Sequence, residues 1–220
     1  MIDLPDFSNA FDYENNFYLS CDGTRISKIL AHYELFKMSL DVAGDIVECG
    51  VFKGASFARF AMFRQLFELE AEKKLIGFDV FGVFPETTHA EDITKREKFI
   101  KDAGIEGIGL DQLKSVLKAK SVEKNVDLVK GDIVETVPEY VANNPDLKIS
   151  LLNLDTDIYE PAVVILEELF PRIVSGGILI IDDYNVFPGE TKAVDDFFSG
   201  REAKIERFAF AKTPHYIVKK

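Results

Sequence analysis

Acidic side chains recur where apolar runs of the chain end, and they are the residues best suited to do chemistry. They are Glu48, Asp79, Asp132, Asp155 and the pair Asp182-Asp183. A single acid in such a place is commonly a solvated loop residue. The carboxyl ends of parallel strands, however, meet at one edge of a sheet, and open α/β sheets bind their ligands at that edge. The recurrence therefore predicts that these acids share one site.

The segment from Glu48 to Gly54 combines an acid with two glycines around a sharp turn. Glycines at 50 and 54 let a ligand approach the main chain where a strand gives way to a helix. A dinucleotide phosphate turn needs another glycine where Phe52 stands, and no Lys-Ser/Thr pair forms a P-loop. The turn therefore disfavours nucleotide phosphates. Glu48 instead suits the cationic amino-acid portion of S-adenosylmethionine, directly or through water, with the Gly50 backbone beside it.

Two further acids suit the nucleoside part of the same ligand. Asp79 follows the second apolar run and is placed to accept hydrogen bonds from ribose hydroxyls, as acids do in many nucleoside sites. Asp132 can accept from an adenine amino group, while its apolar neighbour Ile133 can cover the ring. These positions predict an adenosine-binding trough. NAD would use a similar acid, so an NAD-binding oxidoreductase is an alternative that Phe52 disfavours.

The segments Asp155-Thr156-Asp157 and Asp182-Asp183 predict a cluster of carboxylates on adjacent strand ends. Such a cluster repels itself unless a cation neutralises it. Hard oxygen ligands favour Mg²⁺ or Ca²⁺, and the scarcity of nearby His and Cys argues against zinc. A bound magnesium ion would lower the pKa of a substrate hydroxyl and orient it. For Asp157, capping of a helix that begins near Glu160 is an equally good interpretation.

Composition bounds the class of protein. The chain has 220 residues, 47% of them hydrophobic and 29% charged, which fits one globular domain spanning 1–220. A net charge of −12 argues against nucleic acid as a partner. Cys21 and Cys49 are too few for a disulfide scaffold, and no stretch reads as a signal peptide or membrane span. We expect a cytoplasmic protein without a membrane partner.

The hydrophobic pattern places these acids on a parallel sheet. Strands are predicted at Asp45 to Val51, Leu75 to Val80, Val126 to Val129, Ile149 to Leu154 and Gly177 to Ile181. Helical spacing separates them, which favours a parallel sheet with helices on both faces. Ile205 to Phe210 and Tyr216 to Val218 predict an antiparallel hairpin at the end, giving seven strands in all.

Two segments fall outside the strand-helix alternation. Residues 1–43 form an aromatic arm followed by an amphipathic helix that begins at Arg25. Residues 85–124 are long and polar, which predicts helices and a lid. His89 lies in this lid and is a candidate general base, although an isolated loop histidine is more often merely exposed.

Four segments resemble the metal-dependent sugar O-methyltransferases of macrolide biosynthesis, typified by the macrocin and mycinamicin enzymes. The most specific are Leu-Asp-Thr-Asp-Ile-Tyr at 154–159 and the later Gly-Gly-x-x-x-x-Asp-Asp-Tyr at 176–184. The remaining two are Gly44 to Gly54 and Phe78 to Pro85. The family carries a bulky residue in the middle of the first turn, which accounts for Phe52.

The resemblance implies a Rossmann-like class I methyltransferase with a mostly parallel seven-stranded sheet and an antiparallel C-terminal strand. It implies S-adenosylmethionine and Mg²⁺ as cofactors, with Asp155, Asp182 and Asp183 as magnesium ligands. Asp155 is also implied to accept the substrate proton. The family precedent and the aromatic arm favour a homo-oligomer.

The expected activity is transfer of a methyl group to a hydroxyl of a nucleotide-linked or glycoside-linked deoxysugar. The cofactor-binding residues are expected to be Glu48, Gly50, Gly54, Asp79, Asp132 and Ile133. A catechol-like or sugar-amine acceptor is the alternative within enzymes, since catechol-type methyltransferases use a comparable metal arrangement. A Rossmann-like binding protein without catalytic activity is the alternative outside them.

Overall fold

A six-stranded sheet forms the centre of the computed structural model, which describes residues 1–220. Its strands are β1 (Asp45–Cys49), β2 (Leu75–Asp79), β3 (Val126–Lys130), β4 (Ile149–Leu154), β5 (Ile173–Ile181) and β6 (His215–Val218). Their order is β3-β2-β1-β4-β5-β6, and β6 alone runs antiparallel to its neighbour. The predicted α/β class and the reversed last strand are confirmed.

Eight α-helices connect and precede these strands. They are α1 (Ala10–Ser20), α2 (Gly23–Met38), α3 (Ala55–Leu66), α4 (Ala90–Ala103), α5 (Leu110–Ala119), α6 (Ile133–Asn143), α7 (Tyr159–Glu168) and α8 (Pro188–Phe198). Single 3-10 turns lie at Phe7–Asn9 and Phe170–Arg172. No helix combines the length and the apolar character that a membrane span requires.

The two faces of the sheet bury separate apolar clusters because successive strand residues point to opposite sides. Ile46 and Leu151 pack with α2, α3 and α5, whereas Val47 and Leu152 pack with α6, α7 and α8. The strands β1, β2 and β4 are therefore buried from both sides, which explains their mostly apolar sequences. Polar side chains inside these strands lie against a helix rather than in solvent.

The predicted seventh strand, Ile205 to Phe210, is wrong. Glu206 exchanges two backbone hydrogen bonds with Tyr216, of 2.9 and 2.8 Å, and the pairing stops there. Beyond this bridge the chain turns, and the Ala211 N–H donates to the Phe208 carbonyl at 3.1 Å instead of pairing with a strand. The Phe208 ring stacks on Tyr216 at 5.3 Å between centroids, so its apolar surface is used in packing rather than in a ladder.

The predicted insertion at 85–124 contains α4 and α5. Arg96 of α4 donates to the backbone carbonyls of Phe84 and Pro85, which ties the helix to the chain that enters it. Leu113 and Leu117 of α5 are buried in the cluster with α3. The segment therefore rests on the sheet layers beside the carboxyl ends of β1 and β2.

Candidate active site

A cavity of about 990 Å³ opens at the carboxyl edge of the parallel strands. The loops after β1 and β4 both border it, and these strands neighbour each other although α3, β2 and β3 separate them in sequence. Such a reversal of strand order leaves a crevice between adjacent loops. Residues from both loops, from the ends of β2 and β5 and from α2, α3 and α4 form its wall.

The turn after β1 brings the main chain of that strand against β4. Gly50 has φ of 91°, and a Cβ there would lie 1.8 Å from the Asp155 carbonyl oxygen. Only glycine allows this close approach. Gly54 has φ of 82° and begins α3, but it faces Ile108 and Leu113 rather than the cavity. Of the two glycines predicted to bind cofactor, Gly50 borders the cavity and Gly54 shapes the turn.

Glu48 lies beneath the cavity wall rather than in it. Its side chain is fully buried, one carboxylate oxygen accepts from the Ser56 hydroxyl, and Oε2 has no partner. Burial raises the pKa of this carboxyl to about 8. Ser56, at the start of α3, borders the cavity in its place. A direct contact between Glu48 and the cofactor stays a prediction.

Asp79 borders the cavity and also holds the turn after β1. One oxygen accepts from the Val51 and Phe52 N–H groups at 2.8 and 2.9 Å, and the other from Phe81 N–H at 2.6 Å. Burial raises the pKa of Asp79 despite these donors. The carboxylate thus fixes the turn that surrounds the cavity.

Asp132 and Ile133 stand at the start of α6, on the same wall. The Asp132 carboxylate accepts from Val134 N–H at 2.9 Å and thereby caps the helix. Its second oxygen makes no bond within the chain, and Ile133 is buried beside it. The structure brings these two residues together with Gly50 and Asp79 around one cavity.

Three carboxylates converge at the β4 and β5 side of the cavity. Asp155, Asp157 and Asp183 each place a carboxylate oxygen within 4.8 Å of the other two, and all three border the cavity. No backbone N–H donates to any of these side chains. Burial and then the neighbouring carboxylates raise the pKa of Asp155 and of Asp183. We call these three residues the acid cluster.

The chemistry of the acid cluster fits a divalent cation. Three hard oxygen donors from two adjacent loops are the kind of set that Mg²⁺ or Ca²⁺ binds. Like charges confined in a buried site cannot all ionise unless a cation or a proton compensates them. The cluster opens on the cavity, so a cation here would meet whatever the cavity holds.

Asp182 points away from the acid cluster. Successive strand side chains face opposite sides of the sheet, and Asp182 is buried under α2, where it pairs with Lys28 and lies 3.0 Å from His32 Nε2. These partners hold the pKa of Asp182 below its usual range although burial opposes them. The three acids that the structure gathers therefore include Asp157 and not the predicted Asp182. Asp157 does not cap α7: the N-cap position there is Ile158.

Glu190, which the sequence did not single out, holds the two loops of the acid cluster together. Its fully buried carboxylate accepts from Asp183 N–H at 2.9 Å and from the N–H groups of Asp157 and Thr156 at 3.2 and 3.4 Å. From sequence alone, a glutamate in the first turn of a helix is explained by its favourable interaction with the helix dipole. Nothing local indicates that it reaches a second loop.

Asp92 makes a similar connection from the 85–124 segment. Its buried side chain accepts from Gly189 N–H at 2.7 Å and from Tyr159 N–H at 3.0 Å, at the starts of α8 and α7. Glu160 in turn accepts from Thr88 N–H at 2.7 Å. The segment is thus fastened beside the acid cluster. Asp92 was indistinguishable in sequence from the many acids around it.

His89 is not brought to the cavity. It precedes α4, and its ring stacks on Tyr159 with centroids 4.8 Å apart and planes 18° from parallel. Its Nε2 is buried without a hydrogen-bond partner. The residue borders Tyr159 rather than the acid cluster, so its role as a general base stays a prediction.

Comparison with known proteins connects this site to one family. The family model described as Macrocin-O-methyltransferase (TylF) matches residues 24–208. A Streptomyces olivaceus protein, 8-demethyl-8-(2,3-dimethoxy-alpha-L-rhamnosyl)-tetracenomycin-C 4'-O-methyltransferase, is 30% identical over 151 residues, or 66% of this chain and 54% of that protein. Demethyldecarbamoylnovobiocin O-methyltransferase of Streptomyces niveus is 26% identical over 166 residues, or 71% and 59%. The chain thus spans little more than half the length of these curated relatives.

Solved structures share the fold. The calicheamicin methyltransferase CalS11 matches with a TM-score of 0.78 and 28% identity, over 95% of this chain and 85% of that one. The O-methyltransferase NovP matches with a TM-score of 0.76 and 20% identity, over 89% and 80%, which bears on the fold alone. The Rossmann-like methyltransferase fold predicted from the sequence is confirmed, with six strands rather than seven.

Proposed function

The chain belongs to the macrocin O-methyltransferase family, and on that premise we propose that it transfers a methyl group from S-adenosylmethionine to a sugar hydroxyl with the help of Mg²⁺. One observation carries the proposal. The predicted adenosine-binding residues and the acid cluster border the same cavity, and the Gly50–Asp155 contact joins their two loops. A methyl donor and a cation-oriented acceptor would therefore meet there.

Each half of the cavity has its own task in this proposal. Asp79, Asp132 and Ile133 would hold adenosine, and Gly50 would let the methionine portion approach the main chain. Asp155, Asp157 and Asp183 would hold the cation. A bound divalent cation supplies positive charge that lowers the pKa of an acceptor hydroxyl and orients it.

The reaction forms one bond and breaks one. The acceptor oxygen attacks the methyl carbon on sulfur, the carbon–sulfur bond breaks, and S-adenosylhomocysteine leaves. The hydroxyl proton passes to a base, for which we propose Asp155, because its carboxylate borders the cavity. Correct placement of oxygen and methyl carbon accounts for much of the expected rate enhancement.

The sugar acceptor is supported by what the relatives are described as acting on. The Streptomyces olivaceus protein is described as a methyltransferase for a rhamnosyl-bearing compound, and CalS11 also as a TDP-rhamnose 3'-O-methyltransferase. We propose a nucleotide-linked or glycoside-linked deoxysugar for this chain. Residues 85–124 would form the lid over that acceptor, fastened by Asp92.

A screen with labelled S-adenosylmethionine tests the proposal. Nucleotide-linked sugars, glycosides and catechols are offered with Mg²⁺ or with a chelator, and methyl transfer to each is measured. We expect label in sugar-bearing acceptors and in the presence of the metal. Methylation of catechols alone would contradict the sugar acceptor. Binding of NAD but not of S-adenosylmethionine would contradict methyl transfer as the reaction. Light scattering tests the homo-oligomer, which stays a prediction.

A further inference from the structure

Three cations border the cavity where α2 crosses the start of α3. Arg25 and Lys28 lie on successive turns of α2, and Arg59 lies one turn into α3. We call them the basic cluster. They form one patch of positive charge on the cavity of a chain whose net charge is −12. In strand order they lie on the β4 and β5 side of β1, away from Asp79 and Asp132.

Lys28 and His32 are already supplied with partners. Lys28 pairs with the buried Asp182. His32 Nε2 lies 3.0 Å from the other Asp182 oxygen, and Arg59 Nη1 lies 2.8 Å from His32 Nδ1. A guanidinium can only donate, so Nδ1 accepts and Nε2–H donates to Asp182. Arg59 is thereby held in place by a neutral ring rather than by an acid.

Arg59 and Arg25 keep unused hydrogen-bond donors at the cavity. Neither forms an ion pair with a carboxylate, and the remaining N–H groups of Arg59 make no hydrogen bond within the chain. Burial lowers the pKa of Arg59, the charges of Glu48, Asp182 and Asp155 oppose that shift, and the charge of Arg25 adds to it. An anion between them would accept hydrogen bonds from these free donors.

The surrounding wall favours the same kind of ligand. Ala55 and Ser56 open α3 and border the cavity, and Gly54 before them offers no side-chain cap. Their N–H groups lie at the positive end of the helix dipole. This contribution adds to the two arginines, which carry the argument.

We propose that Arg59 and Arg25 bind a carboxylate, and that the carboxylate is that of the amino-acid portion of S-adenosylmethionine. The identity of the ligand rests on the proposed function. Gly50 separates this cluster from the predicted adenosine wall, which is the order that the two ends of that ligand require. The arginines would thus select the intact cosubstrate over analogues that lack a carboxylate.

Isothermal titration with two ligands tests this assignment. The probes are S-adenosylmethionine and decarboxylated S-adenosylmethionine, which keeps the adenosine, the sulfonium and the amine. Charge-assisted hydrogen bonds of this kind are worth about 10- to 100-fold in affinity. We expect Arg59→Met to weaken S-adenosylmethionine by that factor and to leave the decarboxylated ligand as tight as before or tighter.

Three further variants guard against a general loss of structure. Arg25→Met changes an exposed residue of the same cluster, and we expect the same selective loss, smaller in size. Arg59→Lys keeps the charge and should recover part of the affinity. Lys101→Met removes an exposed cation of α4 that lies outside the cavity wall and should change neither affinity.

Two results would overturn the inference in distinguishable ways. Equal weakening of both ligands in Arg59→Met and Arg25→Met, or no weakening of either, contradicts the carboxylate site while the proposed function stands. Failure of the wild-type chain to bind either ligand contradicts the proposed function and the inference with it.

Discussion

Glu190 and Asp183 lie seven residues apart and are both withdrawn from solvent, yet their side chains have opposite surroundings. Glu190 accepts hydrogen bonds from three backbone N–H groups, whereas Asp183 accepts none from the backbone and faces two other carboxylates. Asp79 and Asp92 resemble Glu190, and Asp155 and Asp157 resemble Asp183. We call Asp79, Asp92 and Glu190 the amide-held acids.

The difference separates acids whose carboxylates are stabilised by backbone N–H groups from acids whose mutual repulsion the backbone does not relieve. Burial raises the pKa of the carboxyl in both groups. Neighbouring carboxylates increase that rise in the acid cluster and also for Glu190, but backbone donors oppose it only for the amide-held acids. Lys28 offsets part of the negative charge of the acid cluster, and the remaining repulsion costs stability unless a further cation or a proton binds there. The retention of this cluster beside a cavity is therefore evidence for a function.

The largest expected effect follows from removing one charge of the acid cluster. Asp183→Asn removes a proposed cation ligand, so we expect kcat/KM for methyl transfer to fall by about 10²- to 10⁴-fold. The free energy of unfolding should hold or rise, because one repulsive charge is gone. Steady-state kinetics and thermal unfolding measure the two effects.

Asp111→Asn is the matched control, since the same change is made on an almost fully exposed side chain of α5. It should leave both quantities unchanged. An active Asp183→Asn enzyme would show that the acid cluster does not serve the reaction.

Cation binding should stabilise the wild-type chain and not the variant. A ligand that binds only the folded state at about 100 times its Kd adds about 2.7 kcal/mol to the unfolding free energy. We therefore expect Mg²⁺ to raise the Tm of the wild type and of Asp111→Asn, and to leave that of Asp183→Asn unchanged. Equal shifts in all three proteins would mean that the ion binds elsewhere.

Loss of an amide-held acid should reverse the pattern. Glu190→Gln replaces one accepting oxygen by an N–H₂ group that faces backbone donors, which should lower the unfolding free energy by about 1–3 kcal/mol. Denaturant unfolding measures the change, with Glu202→Gln, on an exposed glutamate, as the control. A Glu190→Gln chain of wild-type stability would contradict the distinction between the two groups.

The last prediction concerns Glu48, whose pKa burial raises from 4.5 to about 8. Between these values the folded chain binds the proton more tightly than the unfolded chain, so the unfolding free energy should fall as pH rises. Glu48→Gln stays neutral and should flatten that decline when both proteins are compared in saturating Mg²⁺. If the unfolding free energies of the two proteins changed in parallel with pH, ionisation of Glu48 would not lower the stability of the folded chain, which contradicts the prediction.

Most of the fold was predictable because its signals are local. Leu75–Asp79 and Ile149–Leu154 are mostly apolar and are followed or ended by an acid, so strand type and ligand edge followed from the pattern. Ile205 to Phe210 carries the same signal but uses its aromatic surface for packing after one bridge. Sequence cannot distinguish those two uses of an apolar residue.

Site residues that act within their own loop were predictable from the sequence. Residues whose side chains contact the backbone of a different loop were missed. Asp155 and Asp183 follow their strands and enter the acid cluster, whereas Asp182 is turned away by the alternation of β5. Glu190 and Asp92 act only through distant backbone groups. Such contacts depend on how helices and strands are arranged in space, which the spacing of residues along the chain does not specify.

Metal-dependent methyl transfer tests the central claim most directly. Labelled S-adenosylmethionine and a glycoside-linked deoxysugar are incubated with the chain in a chelator, and Mg²⁺ is then added in excess. The account predicts little labelled product before the addition and rapid formation after it, with no such response from Asp183→Asn. Equal product formation in chelator and in Mg²⁺ would contradict it.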